Sequence, residues 1–268
     1  MLKSRAERVV ETAAFVLAAA IFVVLYAPVV VSAVFSVFET RAGRILWDTF
    51  TVRYYGTLWS NESVIDALSN TAVVALCAVL LAAVLAVGLA LYAQWPGAVG
   101  RAPLTLIIYM PFLLPPIVTG LSLLVGSANA GLERGLLTVI VGHTIFVLAV
   151  AYRLVLTRLQ ALPPSMIEAS FDCGASRWAT LRYVLLPHLA SAIATGALLA
   201  LTLSFDETLI SSFVAGDRMT LPLRLWAMMR VGFTPEINAL VTLVLLVSIA
   251  LALVAARLLK PAGEHEED

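Results

Sequence analysis

Long apolar segments, separated by polar connections, dominate the hydropathy pattern of the chain. Six of these segments reach or approach the roughly 20 residues that an α-helix needs to cross the hydrocarbon core of a bilayer. The predicted spans are Ala13–Phe38, Thr71–Tyr92, Leu104–Gly126, Leu136–Leu156, Leu189–Phe205 and Ala239–Ala256. The pattern therefore predicts an all-α, polytopic membrane protein with six transmembrane helices, in which residues 1–268 form a single domain.

Basic residues at the ends of the predicted spans indicate the orientation of the chain. Lys3, Arg5 and Arg8 precede the first span, and Arg153 and Arg158 flank the end of the fourth. Because Lys and Arg concentrate on the cytoplasmic side of membrane proteins, both termini are predicted to be cytoplasmic. The first apolar segment is longer than the roughly 7–15 residues of a signal-peptide core, so we interpret it as a retained span.

The composition agrees with a membrane protein and excludes several functions. Hydrophobic residues make up 61% of the chain and charged residues 13%, and the mean hydropathy is +0.98. A soluble domain cannot bury so much apolar surface, and a net charge of +0 gives no electrostatic basis for nucleic-acid binding. Neither Lys3 nor Lys260 follows a glycine, which excludes a G-K-[ST] phosphate loop. Cys77 and Cys173 have no metal or disulfide spacing, so we expect no metal site on this chain.

Prolines mark positions of irregular backbone inside the predicted spans. Pro28 lies in the middle of the first span, and Pro111, Pro115 and Pro116 crowd the third. Backbone groups that a proline frees inside a bilayer must find partners on neighbouring helices, on side chains or in water. These positions are therefore expected either to face protein or a cavity, or to be simple kinks.

The most informative polar segment is the predicted cytoplasmic loop 157–188. Ser165 is suited to cap a first short helix, and Gly174 suits the positive φ angle at the C-terminal end of that helix. Ser176 is suited to cap a second short helix. The loop is therefore predicted to form a helix–glycine–helix elbow, whose aromatic side chains suit docking to another protein.

The same loop carries a motif with defined spacing. It reads Glu168-Ala169-Ser170, three residues, Gly174, nine residues, and then Val184-Leu185-Leu186-Pro187. This motif resembles the cytoplasmic EAA loop of permease subunits of binding-protein-dependent ABC importers, where E-A-A, three residues, G and nine residues precede I-x-L-P. Ser170 for alanine and Val184 for isoleucine are two departures, both conservative in volume.

The resemblance implies the type I ABC importer permease fold and a function in transport. In that family the elbow is a coupling helix held in a groove of a cytoplasmic ATPase. ATP and magnesium then belong to the ATPase, and no catalytic residue is expected on this chain. The residues that the motif assigns to ATPase coupling are Glu168, Ala169, Ser170, Asp172, Gly174, Arg177 and Pro187. For Glu168, pairing with a basic ATPase residue, a hydrogen bond within the elbow and a favourable position in the first helical turn all remain open.

A second motif narrows the resemblance. The run Leu203-Ser204-Phe205-Asp206-Glu207 is similar to the SFDE signature of spermidine/putrescine-type permeases, and residues 220–240 look like the second permease of such systems. The solute is then expected to be a polyamine or a related charged amino compound. Asp206, Glu207 and Trp226 are candidate path residues, because a carboxylate attracts a cation strongly where the dielectric constant is low. A capping or subunit-contact role at a helix end is the alternative for the two carboxylates.

The resemblance also implies a multi-subunit complex in the bacterial inner membrane. Six spans line only one side of a path, so a second and different permease is expected to complete it, with two identical chains as the lesser option. A cytoplasmic ATPase dimer and an extracytoplasmic solute-binding protein are the other expected partners. The spans themselves contact membrane lipid.

Two other function classes compete with an importer permease. An ATPase-independent secondary transporter of a small charged solute is expected to have internal repeats or ionisable pairs within its spans. An intramembrane enzyme needs a nucleophile or a metal site, and the sequence has no HExxH or GxSxG motif. His143, within the fourth predicted span, is interpreted as a packed, hydrogen-bonded residue rather than a ligand.

Overall fold

The computed structural model of the chain describes residues 5–41, 44–231 and 234–258. Residues 1–4 and 259–268, and with them both predicted cytoplasmic termini, lie outside the described residues. The described residues belong to two compact units, one from the ranges 1–62 and 228–249 and the other from 63–227 and 250–268. Most of the described residues are helical, as the sequence predicts.

The first unit contains a β-hairpin that the sequence analysis did not predict. Its elements are α1 (Arg5–Phe35), β1 (Phe38–Arg41), β2 (Arg44–Phe50) and α2 (Arg53–Ser60). The two strands are antiparallel, and the Phe38 ring packs edge-on against Trp47 and Phe50 at centroid distances of 5.3 and 6.0 Å. Just after α1, Ser36 hydrogen-bonds the Tyr55 hydroxyl on α2 over 2.7 Å. The segment after the first span is therefore an ordered element rather than an irregular loop.

The second unit is built mainly from helices α3 to α10. The helices that follow α2 are α3 (Glu62–Gln94), α4 (Arg101–Leu113), α5 (Pro116–Asn129), α6 (Leu136–Gln160), α7 (Pro164–Asp172), α8 (Arg177–Thr180), α9 (Leu186–Asp206), α10 (Leu209–Val214), α11 (Leu221–Val231) and α12 (Pro235–Leu258). A π-helical turn over Leu181–Leu185 joins α8 to α9 without a break. Helices α11 and α12 contribute residues to both units.

Four helical stretches among the described residues are long and apolar enough to cross a membrane. They are Val10–Phe35, Glu62–Gln94, Leu136–Gln160 and the continuous stretch Arg177–Asp206. Helices α4 and α5 make a fifth only if the bent pair counts as one span, and Pro235–Ala250 is apolar but shorter. The predicted count of six spans is therefore not exactly reproduced, although each predicted span corresponds to helical sequence.

The third predicted span, Leu104–Gly126, has the irregular backbone that its prolines predicted. It is broken between α4 and α5, whose axes differ in direction by 110°. Leu114 is extended, with φ −76° and ψ 148°, because Pro115 after it disfavours helical backbone. The Thr119 hydroxyl donates to the Pro111 carbonyl across the break over 3.3 Å, which satisfies one freed backbone group.

Small residues let the long helices of the second unit approach closely. One core cluster joins α3, α6 and the start of α9, and it includes Ala86, Ala90, Ala93, Tyr152, Val155, Leu159, Leu185 and Leu189. An added Cβ at Gly196 on α9 would lie 3.3 Å from the Cα of Ala151 on α6. Because these two backbones almost touch, their close van der Waals packing adds to the side-chain cluster in holding α6 against α9.

Candidate functional site

The predicted elbow is present, and its turn is built around Gly174. The φ angle of Gly174 is +78°. Its N–H donates to the carbonyl of Phe171 over 2.8 Å, and the N–H of Ala175 donates to the carbonyl of Ser170 over 3.0 Å. These two hydrogen bonds form a Schellman motif, which ends a helix with a residue of positive φ and therefore favours glycine. The predicted C-terminal role of Gly174 is confirmed.

Hydroxyl groups hold the two arms of the elbow together. Ser176 caps α8 as predicted, because its Oγ accepts from the N–H of Ala179 over 3.2 Å. The Ser170 hydroxyl donates to the carbonyl of Ile167 over 2.7 Å. Since that bond uses the single Ser170 proton, the buried Thr180 hydroxyl, 2.9 Å away, donates to Ser170 Oγ. Ser170, where the family motif has alanine, therefore links α7 to α8.

The predicted start of the elbow is wrong by two residues. Helix α7 begins at Pro164 with Pro163 as its N-cap, so Ser165 lies inside the first turn rather than at the cap. Proline is favoured at the first helical position because the N–H that it lacks is not needed there. Glu168 consequently lies beyond the first turn, where the helix dipole no longer favours a carboxylate strongly.

The elbow has one packed side and one exposed side. Ile167 and Leu181 pack against the core cluster that α3, α6 and α9 share. We call a set of six of the exposed residues of the elbow the elbow surface, namely Glu168, Ala169, Phe171, Asp172, Trp178 and Tyr183. The three aromatic side chains are 46%, 69% and 75% exposed, in chain order. Large exposed aromatic groups beside charged ones are typical of a surface that docks another protein.

Arg177 and Pro187, also predicted to act in coupling, are exposed too, but each lies beside a contact within the chain. The guanidinium carbon of Arg177 lies 5.0 Å from the centroid of the Trp95 ring, just after α3. Pro187 is the second residue of α9 and follows the π-helical turn. Beside it, Arg158 Nε on α6 donates to the carbonyl of His188 over 3.2 Å. The elbow is thus tied at one edge to the end of α3 and at the other to α6.

The candidate path carboxylates lie at the other end of α9, which spans about 30 Å for a helix of this length. Asp206 is exposed, whereas Glu207 is only 8% exposed. Glu207 Oε1 accepts from the N–H of Ile210 over 2.9 Å, so Glu207 has the capping role that the sequence left as an alternative. Trp226, on α11, is half-exposed. Two adjacent carboxylates therefore have different environments.

The structure identifies the partners of His143. The ring is buried, with Nδ1 2.8 Å from Ser204 Oγ and Nε2 2.9 Å from Ser211 Oγ. The Ser211 hydroxyl also lies 3.2 Å from the carbonyl of Glu207, which accepts only. Ser211 therefore donates to Glu207, and the imidazole hydrogen-bonds one serine through each ring nitrogen. One chain of hydrogen bonds thus joins α9, α6 and α10, and the prediction of a packed, hydrogen-bonded His143 is confirmed.

Two glycines let α10 lie directly against its neighbours. An added Cβ at Gly120 on α5 would lie 2.8 Å from Phe213 Cδ2 and 3.1 Å from Ile210 Cα. At Gly142 on α6 it would lie 2.7 Å from Ile210 Cγ2. Because a normal side chain does not fit at either position, α10 is fixed by close backbone packing as well as by the His143 hydrogen bonds.

The chemistry that these residues offer is docking and attraction of cations. Among residues 5–41, 44–231 and 234–258, no three His, Cys, Asp or Glu side chains lie together in a way that would hold a metal ion. Cys77 is half-buried and Cys173 is exposed, and both are free thiols. An apolar and charged surface lies at one end of α9, and an exposed carboxylate lies at the other.

Comparison with known sequences gives a consistent family. A family model described as "Binding-protein-dependent transport system inner membrane component" matches residues 78–262. The spermidine/putrescine transport system permease protein PotC of Escherichia coli (strain K12) is 33% identical over 239 residues, which cover 87% of this chain and 89% of that protein. The putrescine transport system permease protein PotI of the same strain is 36% identical over 235 residues, which cover 84% of this chain and 82% of that protein. PotC of Haemophilus influenzae is 31% identical over 247 residues, which cover 91% of this chain and 95% of that protein.

Solved structures with the same fold come from ABC transporters. A chain of a bacterial transporter that imports the acidic polysaccharide alginate matches with a TM-score of 0.76 and 17% identity, over 96% of this chain and 99% of that one. A second structure of an alginate transporter, in complex with a pentasaccharide-bound periplasmic protein, matches with a TM-score of 0.65 and 15% identity, over 94% and 96%. A chain of an inward-facing methionine transporter matches with a TM-score of 0.63 and 18% identity, over 76% of this chain and 97% of that one. At these identities the likeness shows the fold, and it confirms the predicted permease architecture.

Proposed function

The chain belongs to the family of binding-protein-dependent transport system inner membrane components, and from that premise we propose that it is a permease subunit that imports a polyamine. In this proposal the chain supplies part of a transmembrane path and a cytoplasmic contact for a separate ATPase. Both termini lie in the cytoplasm of a bacterial cell, and the spans lie in its inner membrane. ATP and magnesium are bound by the ATPase, so this chain carries no cofactor and no catalytic group.

The elbow surface is the observation that carries the proposal. It exposes Phe171, Trp178 and Tyr183 beside Glu168 and Asp172, on a segment held rigid by the Schellman turn and by the Ser170–Thr180 hydrogen bond. A rigid segment loses little conformational freedom when it docks. Such a surface suits insertion into a groove of the ATPase, with Glu168 facing a basic residue there. Rigid-body movement of the ATPase subunits then moves the elbow and rocks the helices between two states.

A second permease subunit is the partner that completes the path. Helices α4 and α5 keep many large apolar side chains exposed, among them Leu106, Ile107, Leu113, Ile117, Leu121 and Val125. Such a surface suits lipid or a neighbouring membrane protein. Since the relatives PotC and PotI are named as parts of transport systems, a different permease is the proposed neighbour. An extracytoplasmic solute-binding protein delivers the solute, in the manner of the alginate transporter solved with its periplasmic protein.

The proposed solute is a spermidine- or putrescine-like cation. Support comes from the relatives, whose names specify spermidine/putrescine and putrescine at 33% and 36% identity over most of the chain. Asp206 is exposed and accessible to a solute, whereas the Glu207 carboxylate already accepts a backbone N–H. The cation-attracting role therefore falls on Asp206, with Trp226 as a further candidate contact. Glu207 shapes the path indirectly by holding the start of α10.

Transport in reconstituted vesicles tests the proposal. The chain is co-reconstituted with its second permease and its ATPase, and radiolabelled putrescine or spermidine is supplied with the binding protein outside. We expect ATP-dependent uptake of at least one of the two. Uptake without the ATPase would contradict the importer mechanism and favour a secondary transporter. ATPase stimulation by a binding protein loaded with a different solute would contradict the polyamine assignment alone.

Variants of the elbow surface test the docking step separately. We expect Trp178→Ala and Glu168→Ala to weaken binding of the ATPase to the permease complex in detergent about fivefold or more, since truncation of a docking anchor costs more than about 1 kcal/mol. Trp178 is 69% exposed, so its truncation leaves the core intact. Trp59→Ala is the matched control, because Trp59 is 64% exposed on the first unit, away from the elbow sequence. If Trp59→Ala weakens binding of the ATPase as much as Trp178→Ala does, the result would argue against a docking role for the elbow surface.

A further inference from the structure

The connection between α3 and α4 is a braced turn. The Tyr92 hydroxyl donates to the carbonyl of Val99 over 3.0 Å, and the N–H of Ala98 donates to the carbonyl of Trp95 over 3.0 Å. The Arg101 guanidinium donates to the same Trp95 carbonyl. Because these hydrogen bonds close the turn on itself, a force applied at Trp95 reaches the ends of both α3 and α4.

Trp95 is also a point of contact between the elbow and this turn. The guanidinium carbon of Arg177, the first residue of α8, lies 5.0 Å from the centroid of the Trp95 ring. A cation within about 6 Å of an aromatic centroid is attracted to the ring. An added Cβ at Gly97 would lie 3.4 Å from Trp95 Nε1, so the indole also lies close to the backbone of its own turn. The ring is therefore in contact both with its own turn and with the elbow.

We propose that the Arg177–Trp95 contact carries movement of the elbow to α3 and α4, so that Arg177 is a positioning residue inside this chain and not a contact of the ATPase. The proposal rests on the proposed function, because it assigns a step within the ATPase-driven movement of the elbow. It changes the role that the family motif gives to Arg177. It also adds Trp95, which no motif singled out.

The connectivity of the chain shows why such a contact is needed. The elbow continues directly into α9 and follows α6, so movement of the elbow reaches these two helices through the backbone. Helices α3 and α4 have no such continuity with the elbow. Ile167 and Leu181 of the elbow pack against a cluster that α3, α4, α6 and α9 share, and such apolar packing is non-directional. The cation–ring contact at Trp95 is a specific contact that holds the elbow at a defined position on the α3–α4 turn.

The strength of the contact bounds its effect. A contact shifts a conformational equilibrium only by the difference in its free energy between the two states. For a cation–ring pair at an exposed site, this limit corresponds to about a 2- to 5-fold change in an equilibrium constant. Loss of the contact is therefore expected to make coupling less efficient without abolishing transport.

The experiment measures ATP hydrolysed per putrescine or spermidine imported, in vesicles that contain the complete transporter. We expect Arg177→Met and Trp95→Leu each to raise this ratio about 2- to 5-fold, and the double variant to raise it no further than either single one. Arg177→Lys and Trp95→Phe keep a cation and a ring, and they are expected to restore most of the coupling. The amount of assembled complex is measured for every variant, so that misfolding is separated from uncoupling.

Two results would overturn the inference. If Arg177 instead contacts the ATPase, Arg177→Met will weaken ATPase binding while Trp95→Leu leaves both binding and coupling unchanged. If the two substitutions act independently, their effects on the ratio will multiply in the double variant. A wild-type complex that imports neither polyamine with ATP would contradict the proposed function, and this inference would fall with it.

Discussion

A single imidazole ring on α6 hydrogen-bonds α9 on one side and α10 on the other. His143 lies between Ser204 on α9 and Ser211 on α10, at 2.8 and 2.9 Å. The carbonyl of Glu207 accepts from the Ser211 hydroxyl and extends this chain of hydrogen bonds. At the scale of the residue, the position of the α9–α10 junction, and with it that of Asp206, therefore depends on His143.

The first prediction concerns this ring. His143→Leu keeps a similar volume but leaves two buried serine hydroxyls without the ring that pairs them. We expect the free energy of unfolding of the chain in detergent to fall by about 1–3 kcal/mol, because buried polar groups lose their partner. Denaturant titration followed by circular dichroism gives the value.

A threonine on α9 provides the control for that substitution. The Thr202 hydroxyl is exposed and bonds only to carbonyls of its own helix, those of Leu198 and Leu199. Thr202→Ala is expected to change the free energy of unfolding by less than about 0.5 kcal/mol. If Thr202→Ala lowers the free energy of unfolding as much as His143→Leu does, the His143 hydrogen bonds add no particular stability.

The sequence predicted the character of His143 but not its partners. Ser204 and Ser211 lie 61 and 68 positions further along the chain, and no local pattern joins residues so far apart. Gly174 and Ser176 were predictable because their roles depend on the neighbouring backbone alone. Ser165 was misplaced because a serine and a proline compete for the start of the same helix, and the proline occupies the first position.

At the scale of the element, α10 is held by close packing against α5 and α6. The second prediction compares two glycines on α5. Gly120→Ala places a Cβ 3.1 Å from the Cα of Ile210, which is backbone and does not rotate away. We expect a loss of about 1–3 kcal/mol in the free energy of unfolding in detergent, together with displacement of α10.

Gly126→Ala is the matched control on the same helix. An added Cβ at Gly126 meets nothing within 4 Å, so the substitution adds helix propensity without a clash. We expect it to be neutral or to stabilise the chain by up to about 1 kcal/mol. Similar destabilisation by both alanines would mean that helix geometry, rather than contact with α10, explains the effect.

The broken third span shows where prediction of elements ends. Pro111, Pro115 and Pro116 marked the region as irregular from sequence, but the 110° bend depends on which groups accept the freed backbone. One of these groups is Thr119, whose hydroxyl reaches the Pro111 carbonyl.

The hairpin β1–β2 was missed for a similar reason. Short strands are stabilised by pairs such as Phe38 and Trp47, which become neighbours only after the chain folds.

At the scale of the whole molecule, α9 joins the two sites to which we assign different tasks. The elbow surface precedes its first turn, and Asp206 ends its last turn. The spaced motif made the elbow predictable, whereas the division of labour between Asp206 and Glu207 was not, because it depends on the fold of α10 around Ile210. The two proposed functions, docking of the ATPase and attraction of the cation, therefore fall on separate residues, and we expect them to be separable by mutation.

The last prediction tests that separation. Asp206→Asn removes the exposed charge and keeps the size of the side chain, and we expect the KM for polyamine uptake to rise about 10- to 100-fold. This range corresponds to the roughly 1.5–3 kcal/mol that a hydrogen bond to a charged group contributes. Asp206→Glu keeps the charge and is expected to retain most of the affinity, and binding of the ATPase is expected to be unchanged in both variants. A fall in ATPase binding in Asp206→Asn, or equal KM values for the two variants, would show that Asp206 acts through the fold and not through its charge.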